Sequence, residues 1–372
     1  MKRIVLVGGG SGGHFYPLIA VAEMLKNESQ GQNCELFYFG PEPYDLEALR
    51  QNEITFVSCP AGKQRKYFSV RNFFDIFKTL YGVIIAIVKL YKIYPDVIFS
   101  KGSYTSVPVT LAGFILRIPI VIHESDTKPG NANKLASHFA RYIAISFDDT
   151  ATYFPKEKTA LTGIPVRTSF TKTLTNPLQI LGIRDEKPLL FVTGGSQGAQ
   201  RLNDLVLESL DTLLPAFTVL HQTGIDNEAN VEASAASLIT DSNILENYFV
   251  KGTLTGGEMN AAISGAALIV SRAGTGTIFE IALKGKPSIL IPIPEAISHD
   301  QKTNAYAYAR SGACSVLEEH NITEGLLASE ITRIMGDQST YDAMSQAALS
   351  FAKKDATVTI AHTLNEITNE HT

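Results

Sequence analysis

The chain has 372 residues, of which 45% are hydrophobic and 19% are charged, and its formal net charge is −5. This length predicts two domains, and the composition excludes a largely disordered chain. The negative charge argues against non-specific nucleic-acid binding, so we expect no nucleic-acid partner. Three scattered cysteines, Cys34, Cys59 and Cys314, have neither metal-ligand spacing nor a disulfide framework, which fits a reducing compartment.

No targeting or membrane-spanning segment is expected from the hydropathy pattern. The first residues lead directly into a strand that is too short to be the core of a signal peptide. The longest apolar run, residues 83–88, is far shorter than the roughly 20 residues that a spanning helix needs. We therefore expect a cytoplasmic protein, with association at a membrane surface left open.

The first turn of the chain, residues 8–14, reads Gly-Gly-Gly-Ser-Gly-Gly-His and lies between an apolar run at 4–7 and a helical pattern. Strand, glycine turn and helix together favour an anion site, because a helix N-terminus offers N–H groups and a positive dipole end. The glycines do not match the G-x-G-x-x-G spacing, and a tight turn without a ligand is the alternative. We expect an anion site with His14 at its end.

Strand-like runs then alternate with helical ones, which predicts parallel sheets covered by helices. Residues 163–177 have the composition of a connection between domains, and a second strand with a glycine turn follows at 188–199. The predicted class is α/β, with two Rossmann-like domains facing across a cleft. We expect domains at 1–164 and 165–340, and a helical segment at 341–372 that packs back toward the first domain. The predicted strands are 4–7, 35–39, 55–57, 97–100, 120–123, 142–145, 188–193, 218–221, 268–271, 288–291 and 314–317.

Residues 271–280, Ser-Arg-Ala-Gly-Thr-Gly-Thr-Ile-Phe-Glu, again read as strand, turn and helix. Amides at 275–277 can bind a phosphate at the helix start, and Glu280 can accept hydrogen bonds from ribose hydroxyls. A capping acid that complements the helix dipole is the alternative for Glu280. The polar run at 299–304 opens another helix, where its side chains either bind sugar hydroxyls or cap the helix.

A stretch rich in cations and aromatics occupies residues 63–94. One interpretation is a core helix with a solvated basic rim. The other is an interfacial patch that inserts aromatics among anionic lipid headgroups. The clustering at the start of the stretch favours the interface there, whereas residues 84–88 are predicted to be core. We call the predicted interfacial set the membrane patch: Lys66, Phe68, Arg71, Phe73, Phe74 and Phe77.

Eight stretches that span nearly the whole chain in order resemble the MurG enzymes of glycosyltransferase family 28: residues 9–14, 101–106, 123–124, 130–134, 163–167, 194–199, 272–280 and 300–304. The resemblance implies a GT-B fold, with an acceptor-binding, membrane-associated first domain and a second domain that binds UDP-GlcNAc. It also implies an inverting hexosyltransferase that moves GlcNAc to lipid I and forms lipid II in peptidoglycan synthesis. Peptidoglycan synthesis in turn serves cell shape and division.

The resemblance also assigns roles to matching positions. Glu280 is expected to bind the ribose, Gln301 the GlcNAc hydroxyls, and the backbone near Leu254 the uracil, although residues 255–258 look two residues longer than the family pattern. The full expected donor set is Ser11, Gly12, Gly13, Asp126, Arg167, Ser196, Leu254, Thr275, Gly276, Thr277, Glu280, Asp300 and Gln301. The expected acceptor set is Gly10, Ser103, Tyr104 and Asn133.

The general base is predicted to be His14, whose ordinary pKa suits proton transfer near neutrality. A histidine that only hydrogen-bonds a phosphate or caps the helix is the alternative. Glu124 and Asp126 are competing candidates. The family often has Asn where this chain has Asp126, and Asn cannot act as a base, so this departure leaves the assignment open.

No Asp-x-Asp motif stands near a strand end, so we expect no metal cofactor; helix amides and Arg167 are expected to stabilise the UDP leaving group instead. The implied partners are UDP-GlcNAc, lipid I, the inner leaflet of the plasma membrane and other cell-wall synthesis proteins. The implied location is peripheral, on the cytoplasmic face. The alternatives are another lipid-directed family 28 transferase, an isomerase of the UDP-GlcNAc 2-epimerase type, and a non-catalytic binding protein.

Overall fold

The computed structural model describes residues 2–28, 34–63, 70–184, 186–195, 198–295, 300–323 and 325–370, with the backbone alone at 70–72. The chain forms two compact units, one of Met1–Thr168 with Lys353–Thr372 and one of Ser169–Ala352. The predicted boundaries at 164/165 and 340/341 thus compare with unit boundaries at 168/169 and 352/353. None of the described helices is long and apolar enough to cross a membrane.

The described part of the first unit contains a seven-stranded parallel sheet in the order β3-β2-β1-β4-β5-β6-β7. Its strands are β1 (Lys2–Val7), β2 (Cys34–Gly40), β3 (Ile54–Ser58), β4 (Val97–Ser100), β5 (Ile120–Glu124), β6 (Tyr142–Ile145) and β7 (Thr159–Leu161). The helices before the unit boundary are α1 (Gly12–Glu28), α2 (Leu46–Gln51), α3 (Val70–Ile93), α4 (Val107–Ile115) and α5 (Asn131–Ser137).

The second unit repeats this plan, with a six-stranded parallel sheet among its described residues in the order β10-β9-β8-β11-β12-β13. Its strands are β8 (Leu189–Thr193), β9 (Thr218–Gln222), β10 (Tyr248–Lys251), β11 (Leu268–Ser271), β12 (Ser288–Leu290) and β13 (Cys314–Val316). From the unit boundary onward the helices are α6 (Thr168–Thr171), α7 (Pro177–Ile180), α8 (Gln200–Leu207), α9 (Leu210–Leu213), α10 (Glu228–Leu238), α11 (Ser242–Leu245), α12 (Gly256–Gly265), α13 (Thr275–Leu283), α14 (Gln301–Ala309), α15 (Leu326–Gly336) and α16 (Gln338–Phe351). The last helix, α17 (Ala356–Glu370), belongs to the first unit.

The predicted α/β class with two Rossmann-like sheets is confirmed. The apolar sequence of β1 explains its central position in the sheet. Ile4 and Leu6 pack on one side of the sheet, and Val5 and Val7 pack on the other. Such a strand is buried on both faces, which is typical of parallel sheets covered by helices. The apolar residues of α1 and α17 cover the first side, and those of α3 and α4 cover the second.

Each sheet has one position where the chain order reverses, between β1 and β4 in the first unit and between β8 and β11 in the second. Ligands of open parallel sheets bind beside the carboxyl ends of the strands at such switch points. The glycine turns after β1 and β8 and the segments after β4 and β11 meet this condition. Four of the predicted motifs therefore lie where ligands of such sheets bind.

Helix α3 corrects one expectation about the 63–94 stretch. Residues 84–88 were expected to be core, but Ile84 and Val88 are 60% and 48% exposed, while Ala86 is buried. The physical reason is the helical period, because a helix on a sheet buries one face only and leaves the opposite face to solvent.

Candidate active site

The turn after β1 approaches the segment after β4 closely. The Lys101 amide donates to the carbonyl of Val7 (2.8 Å). A Cβ on Gly8 would lie 2.8 Å from the Lys101 Cβ, so only glycine fits at this position without displacement. The Tyr38 hydroxyl, from β2, donates to the Gly8 carbonyl (3.1 Å). These contacts hold the glycine turn in one conformation at the switch point.

His14 lies in the first turn of α1 and is half-buried. Its Nδ1 is 2.7 Å from the Ser11 hydroxyl oxygen. Burial and the ammonium of Lys101 lower the pKa of His14 from 6.5 to about 4, against an opposing effect of Asp126. The imidazole is therefore neutral at neutral pH and can accept a proton.

Glu124, at the end of β5, is buried and accepts three hydrogen bonds. They come from the backbone amides of Asp126 (3.0 Å) and Gly130 (3.1 Å) and from the Nδ2 of Asn133 (2.9 Å). Burial and the neighbouring Asp126 raise the pKa of Glu124 to about 7. This carboxyl group braces the turn between β5 and α5, and Asn133, itself buried, completes the brace.

Two buried side chains that the sequence interpretation left without a role lie beside this brace. The Nζ of Lys101 donates to the Nδ1 of His123 (2.6 Å) and to the hydroxyl of Ser125. The Nε2 of His123 lies 2.8 Å from the carbonyl oxygen of Gly163. The sequence signals for Lys101 were its place directly after a buried strand and within the family-like stretch 101–106. Neither signal shows that a lysine side chain turns inward.

Arg167 lies near the end of the first unit and stacks on an aromatic ring. Its guanidinium carbon is 4.7 Å from the centre of the Tyr16 ring of α1. The Tyr16 hydroxyl donates to a carboxylate oxygen of Asp45 (3.3 Å). Stacking on Tyr16 orients the guanidinium plane, and the planar fork of an arginine matches the geometry of an oxyanion.

In the second unit, the turn after β8 is held by contacts with β9. The hydroxyl of Thr193 donates to the Oε1 of Gln222 (2.6 Å) and accepts from the amide of Gly195 (3.0 Å). Gly198 has φ +72°, and a Cβ there would lie 2.1 Å from the carbonyl oxygen of Thr223, so glycine is required. The predicted donor residue Ser196 lies outside the described residues.

Helix α13 starts directly after the β11 turn, at the second switch point. Its N-cap is Gly274, which has no side chain that could cap the first turn. The first backbone amides of the helix are those of Thr275, Gly276 and Thr277. Such a helix start favours bound anions. Glu280 follows on the same helix and is half-buried.

The start of α14 is tied to this region by two hydrogen bonds. The Oε1 of Gln301 accepts from the backbone amide of Ile293 (3.2 Å), and the Nδ2 of Asn304 donates to the hydroxyl of Thr275 (3.2 Å). Because the Gln301 oxygen is used, its amide nitrogen is the group that a sugar hydroxyl would meet. Asp300 is the N-cap of α14, and its carbonyl oxygen accepts from the Asn304 amide.

Arg272 lies between these elements and acts on the loop after β12. Its guanidinium pairs with Glu319 (2.5 Å) and donates to the carbonyl of Ile291 (3.0 Å). This partly buried pair holds the chain that leads to α14. The structure thus gives Arg272 a supporting position within the predicted motif.

The loop that contains Leu254 precedes a well-capped helix. Thr255 and Glu258 form a reciprocal capping box at the start of α12, in which each side chain binds the other residue's backbone amide. Leu254 itself is half-buried. The predicted contact of its backbone with uracil stays a prediction.

Within the membrane patch, Phe73, Phe74 and Phe77 are exposed on the first turns of α3. Lys66 and Phe68 lie outside the described residues, as does the side chain of Arg71. The exposed apolar surface continues along the helix beyond the predicted patch. Its further members are Ile76, Leu80, Tyr81, Ile84, Val88 and Tyr91.

Two family domains match the chain and together span most of it. The Glycosyltransferase family 28 N-terminal domain matches residues 4–145, and the Glycosyltransferase family 28 C-terminal domain matches residues 189–360. The chain belongs to glycosyltransferase family 28. It is therefore a glycosyltransferase, as the sequence motifs predicted.

Individual relatives of this family 28 enzyme agree. It is 35% identical, over 98% of its length and 100% of the relative's, to "UDP-N-acetylglucosamine--N-acetylmuramyl-(pentapeptide) pyrophosphoryl-undecaprenol N-acetylglucosamine transferase 3" of Bacillus thuringiensis. Among solved structures it resembles MurG of Acinetobacter baumannii, with a TM-score of 0.77, 24% identity, and coverage of 98% of this chain and 100% of that one. It also resembles a UDP-GlcNAc 2-epimerase from Neisseria meningitidis, with a TM-score of 0.72, 16% identity and the same coverage. These two likenesses show the fold.

The predicted site residues of the family 28 enzyme divide between its two units. The first unit contains Gly10, Ser11, Gly12, Gly13, His14, Ser103, Tyr104, Glu124, Asp126, Asn133 and Arg167. The second contains Leu254, Thr275, Gly276, Thr277, Glu280, Asp300 and Gln301. Residues 10–14 and 103–104 follow β1 and β4 at the first switch point, and residues 275–280 follow β11 at the second. Glu124 lies at the end of β5, Leu254 follows β10, and Gln301 follows β12.

Proposed function

We propose that this family 28 enzyme transfers GlcNAc from UDP-GlcNAc to the 4-hydroxyl of the MurNAc sugar of lipid I, with inversion, to give lipid II. The observation that carries the proposal is the second switch point, where the start of α13, Glu280 and Gln301 belong to two neighbouring helices joined through Thr275 and Asn304. Helix amides suit a diphosphate, a carboxylate such as Glu280 suits ribose hydroxyls, and an amide side chain such as Gln301 suits the hydroxyls of a sugar. The name of the Bacillus relative supports the choice of both substrates.

The donor is proposed to bind the second unit. Amides at the start of α13 take the diphosphate, Glu280 accepts hydrogen bonds from the ribose hydroxyls, and Gln301 donates to a GlcNAc hydroxyl. As the glycosidic bond breaks, negative charge grows on UDP. Preorganised amides and the Arg167 guanidinium stabilise that charge without reorganisation, so we propose that no metal ion is required.

The acceptor is proposed to bind the first unit, at the glycine turn and the segment of Ser103 and Tyr104. His14 is the proposed base, because its ring is neutral and lies beside the turn. For the Nε2 to accept the proton, the Nδ1 must keep its own proton and donate to the Ser11 hydroxyl, which the 2.7 Å separation allows. Glu124 is less suited, since its oxygens already accept three hydrogen bonds.

The enzyme is proposed to act at the cytoplasmic face of the plasma membrane as a peripheral protein. The exposed apolar face of α3 supports this, because a lipid-linked acceptor stays in the bilayer and the enzyme must approach it. Association with other cell-wall synthesis proteins stays a prediction.

The test is to incubate the enzyme with UDP-GlcNAc and a lipid I analogue in the presence of a chelator, and to identify the product by mass. We expect a β-1,4-linked disaccharide on the lipid. Replacing Glu280 by Ala removes the ribose acceptor and should lower kcat/KM for UDP-GlcNAc by roughly ten- to a hundredfold. Glu232→Ala, at an exposed position on α10, is the matched control and should have no effect.

Other products would point to the competing functions. Free ManNAc or UDP-ManNAc without disaccharide would indicate epimerisation, the activity for which the Neisseria enzyme is named. Transfer to diacylglycerol but not to the lipid I analogue would indicate another lipid-directed family 28 reaction. Either result overturns the proposal.

A further inference from the structure

Lys101 is among the largest fully buried side chains of the described residues, with 1% of its surface exposed. Burying an ammonium group is unfavourable unless strong partners compensate. Its hydrogen-bond partners are the His123 ring and the Ser125 hydroxyl, and neither carries a charge here, since burial and Lys101 itself hold the pKa of His123 well below 6.5. The carboxylates of Glu124 and Asp126 favour the charged lysine, but burial outweighs them and lowers the pKa of Lys101 from 10.5 to about 8. An apolar residue would fill the same volume without the cost of burying a charge, although His123 and Ser125 would lose a donor. These opposing effects make the lysine a weak source of stability, so it calls for a further reason.

The contacts of Lys101 connect three segments of the candidate site. Its backbone and Cβ pack under Val7 and Gly8 of the glycine turn. Its ammonium holds Ser125, next to the candidate base Asp126. Through His123 it reaches a third segment.

That third segment begins at Gly163 and contains Arg167. Because the His123 Nδ1 accepts from the ammonium, the ring proton must be on Nε2, which donates to the Gly163 carbonyl (2.8 Å). The lysine therefore fixes the tautomer that this bond needs. Removing the lysine frees the ring to place its proton on Nδ1, which would break the bond to Gly163.

We propose that Lys101 is a positioning residue of the transferase, which holds the Ser125–Asp126 turn directly and the Arg167 segment through His123. The inference rests on the proposed function. It extends that function because it assigns a task to a side chain that is too deeply buried to contact either substrate. A displacement of about 1 Å at a reacting group can reduce a rate by about a hundredfold, so a brace of this kind acts on kcat.

The kinetic experiment compares Lys101→Met with Lys101→Gln. The methionine fills the volume but donates no hydrogen bond, and we expect kcat to fall by roughly ten- to a hundredfold while KM for UDP-GlcNAc changes by less than about twofold. The glutamine can donate one of the two hydrogen bonds and should recover part of kcat. Lys187→Met removes a lysine that donates to the Leu214 carbonyl (2.9 Å) in the second unit, and this matched control should leave kcat unchanged.

Thermal unfolding separates positioning from folding. Because the lysine is costly to bury, Lys101→Met should keep its unfolding midpoint within about 4 °C of the wild type, as expected for a change of about 1 kcal/mol in a domain of this size. A loss of kcat that is matched by a large loss of stability would overturn the proposal. So would a glutamine variant no more active than the methionine variant.

Two further measurements test the route through His123. If Lys101 acts on Arg167 through the His123 ring, Lys101→Met should lower kcat by a smaller factor in a His123→Gln background than in the wild type. If the two substitutions instead lower kcat independently, so that their factors multiply, His123 does not connect Lys101 to Arg167. Long-range 1H–15N spectra of 15N-histidine-labelled protein should show the His123 Nδ1 as a hydrogen-bond acceptor in the wild type and not in Lys101→Met. This spectrum does not depend on turnover, so it tests the brace even if the transferase assay fails.

Discussion

His14 and Glu124 both interact with the Asp126 carboxylate but have different surroundings. His14 has a lowered pKa because of burial and Lys101, whereas Glu124 has a raised one because of burial and Asp126. Environments that separate pKa values in this way commonly assign the acid and base roles of a site. Here His14 is a neutral imidazole, and Glu124 is a carboxyl group that serves as a brace.

The base assignment gives a pH prediction for the wild-type enzyme. Protonation removes the base, and a pKa lowered from 6.5 to about 4 means that the protonated form accumulates only below about pH 4. The His14 contribution to kcat/KM should therefore stay constant as the pH falls through 6.5. His14→Ala should lower kcat by about a hundredfold or more across this range, the usual contribution of a general base.

Two further variants, Glu124→Gln and Asp126→Asn, distinguish the three candidates for the general base. Glu124→Gln should remove any inflection of the pH–rate profile near pH 7, because that carboxyl group titrates there. Asp126→Asn keeps the shape of the side chain and removes its charge. A loss below about tenfold in His14→Ala, together with a larger loss in Asp126→Asn, would transfer the base role to Asp126.

At the scale of single residues, the sequence predicted where a residue lies in the fold better than which side chain it contacts. The order of Thr275, Glu280 and Gln301 along strand–turn–helix units placed them beyond the carboxyl ends of β11 and β12, because the carboxyl ends of parallel strands meet at one edge. The stacking of Arg167 on Tyr16 could not be predicted, since about 150 residues separate them and neither has a distinctive local pattern. The same holds for Lys101 and His123.

Among the elements, short edge strands were the hardest to predict. Strands β7 and β10 lie at sheet edges and were not expected from the sequence. Their residues are exposed or half-buried, so they lack the apolar runs that revealed the central strands. Central strands such as β8, with every residue buried, were predicted to within a residue.

Helix α3 shows what periodicity alone leaves undetermined. Its stripe through Phe73, Phe77 and Leu80 has helical spacing, which indicates an apolar face but not what that face contacts. The structure places Ala86 and Leu90 in the core and leaves the stripe exposed. At 1.5 Å per residue, the helix presents about 36 Å of partly apolar surface.

The exposed face predicts how the enzyme binds vesicles. Each phenylalanine contributes roughly 1.5–3 kcal/mol when it leaves water, so Phe74→Ser/Phe77→Ser should lower partitioning to anionic vesicles at least about tenfold. Co-sedimentation measures this partitioning. Ile225→Ser/Leu238→Ser removes two exposed apolar side chains from the second unit and is the matched control. Equal binding by both variants would contradict a membrane role for α3.

At the scale of the whole molecule, the last two helices, α16 and α17, belong to different units. The sequence predicted one returning segment from residue 341, but α16 belongs to the second unit and only α17 joins the first. Both helices are amphipathic, and an apolar stripe does not specify which of two cores it joins. The deciding contacts are non-local: Ile360, Ala361, Leu364 and Ile367 pack with the core residues of β1 and α1.

The returning helix also holds the end of the first unit's main segment. The hydroxyl of Thr357 accepts from the amide of Val166 and donates to its carbonyl, both at 3.1 Å. Lys2 donates to Asn365 (3.3 Å), and Arg141 pairs with Glu370 (2.8 Å). These contacts tie α17 to the first unit.

A buried position on α17 should consequently control the stability of the first unit. Leu364 is fully buried, and its replacement by Ala should cost about 2–5 kcal/mol, a large part of the 5–15 kcal/mol that stabilises a typical domain. Val358→Ala, at a position on the same helix that is 43% exposed, should change stability by less than about 0.5 kcal/mol. Hydrogen exchange followed by mass spectrometry distinguishes the units, because peptides from β1 and α1 should lose protection in Leu364→Ala while peptides from β8 and β11 keep theirs. Uniform loss of protection in both units would instead show that α17 stabilises the chain as one cooperative body, and unchanged protection would contradict its place in the core of the first unit.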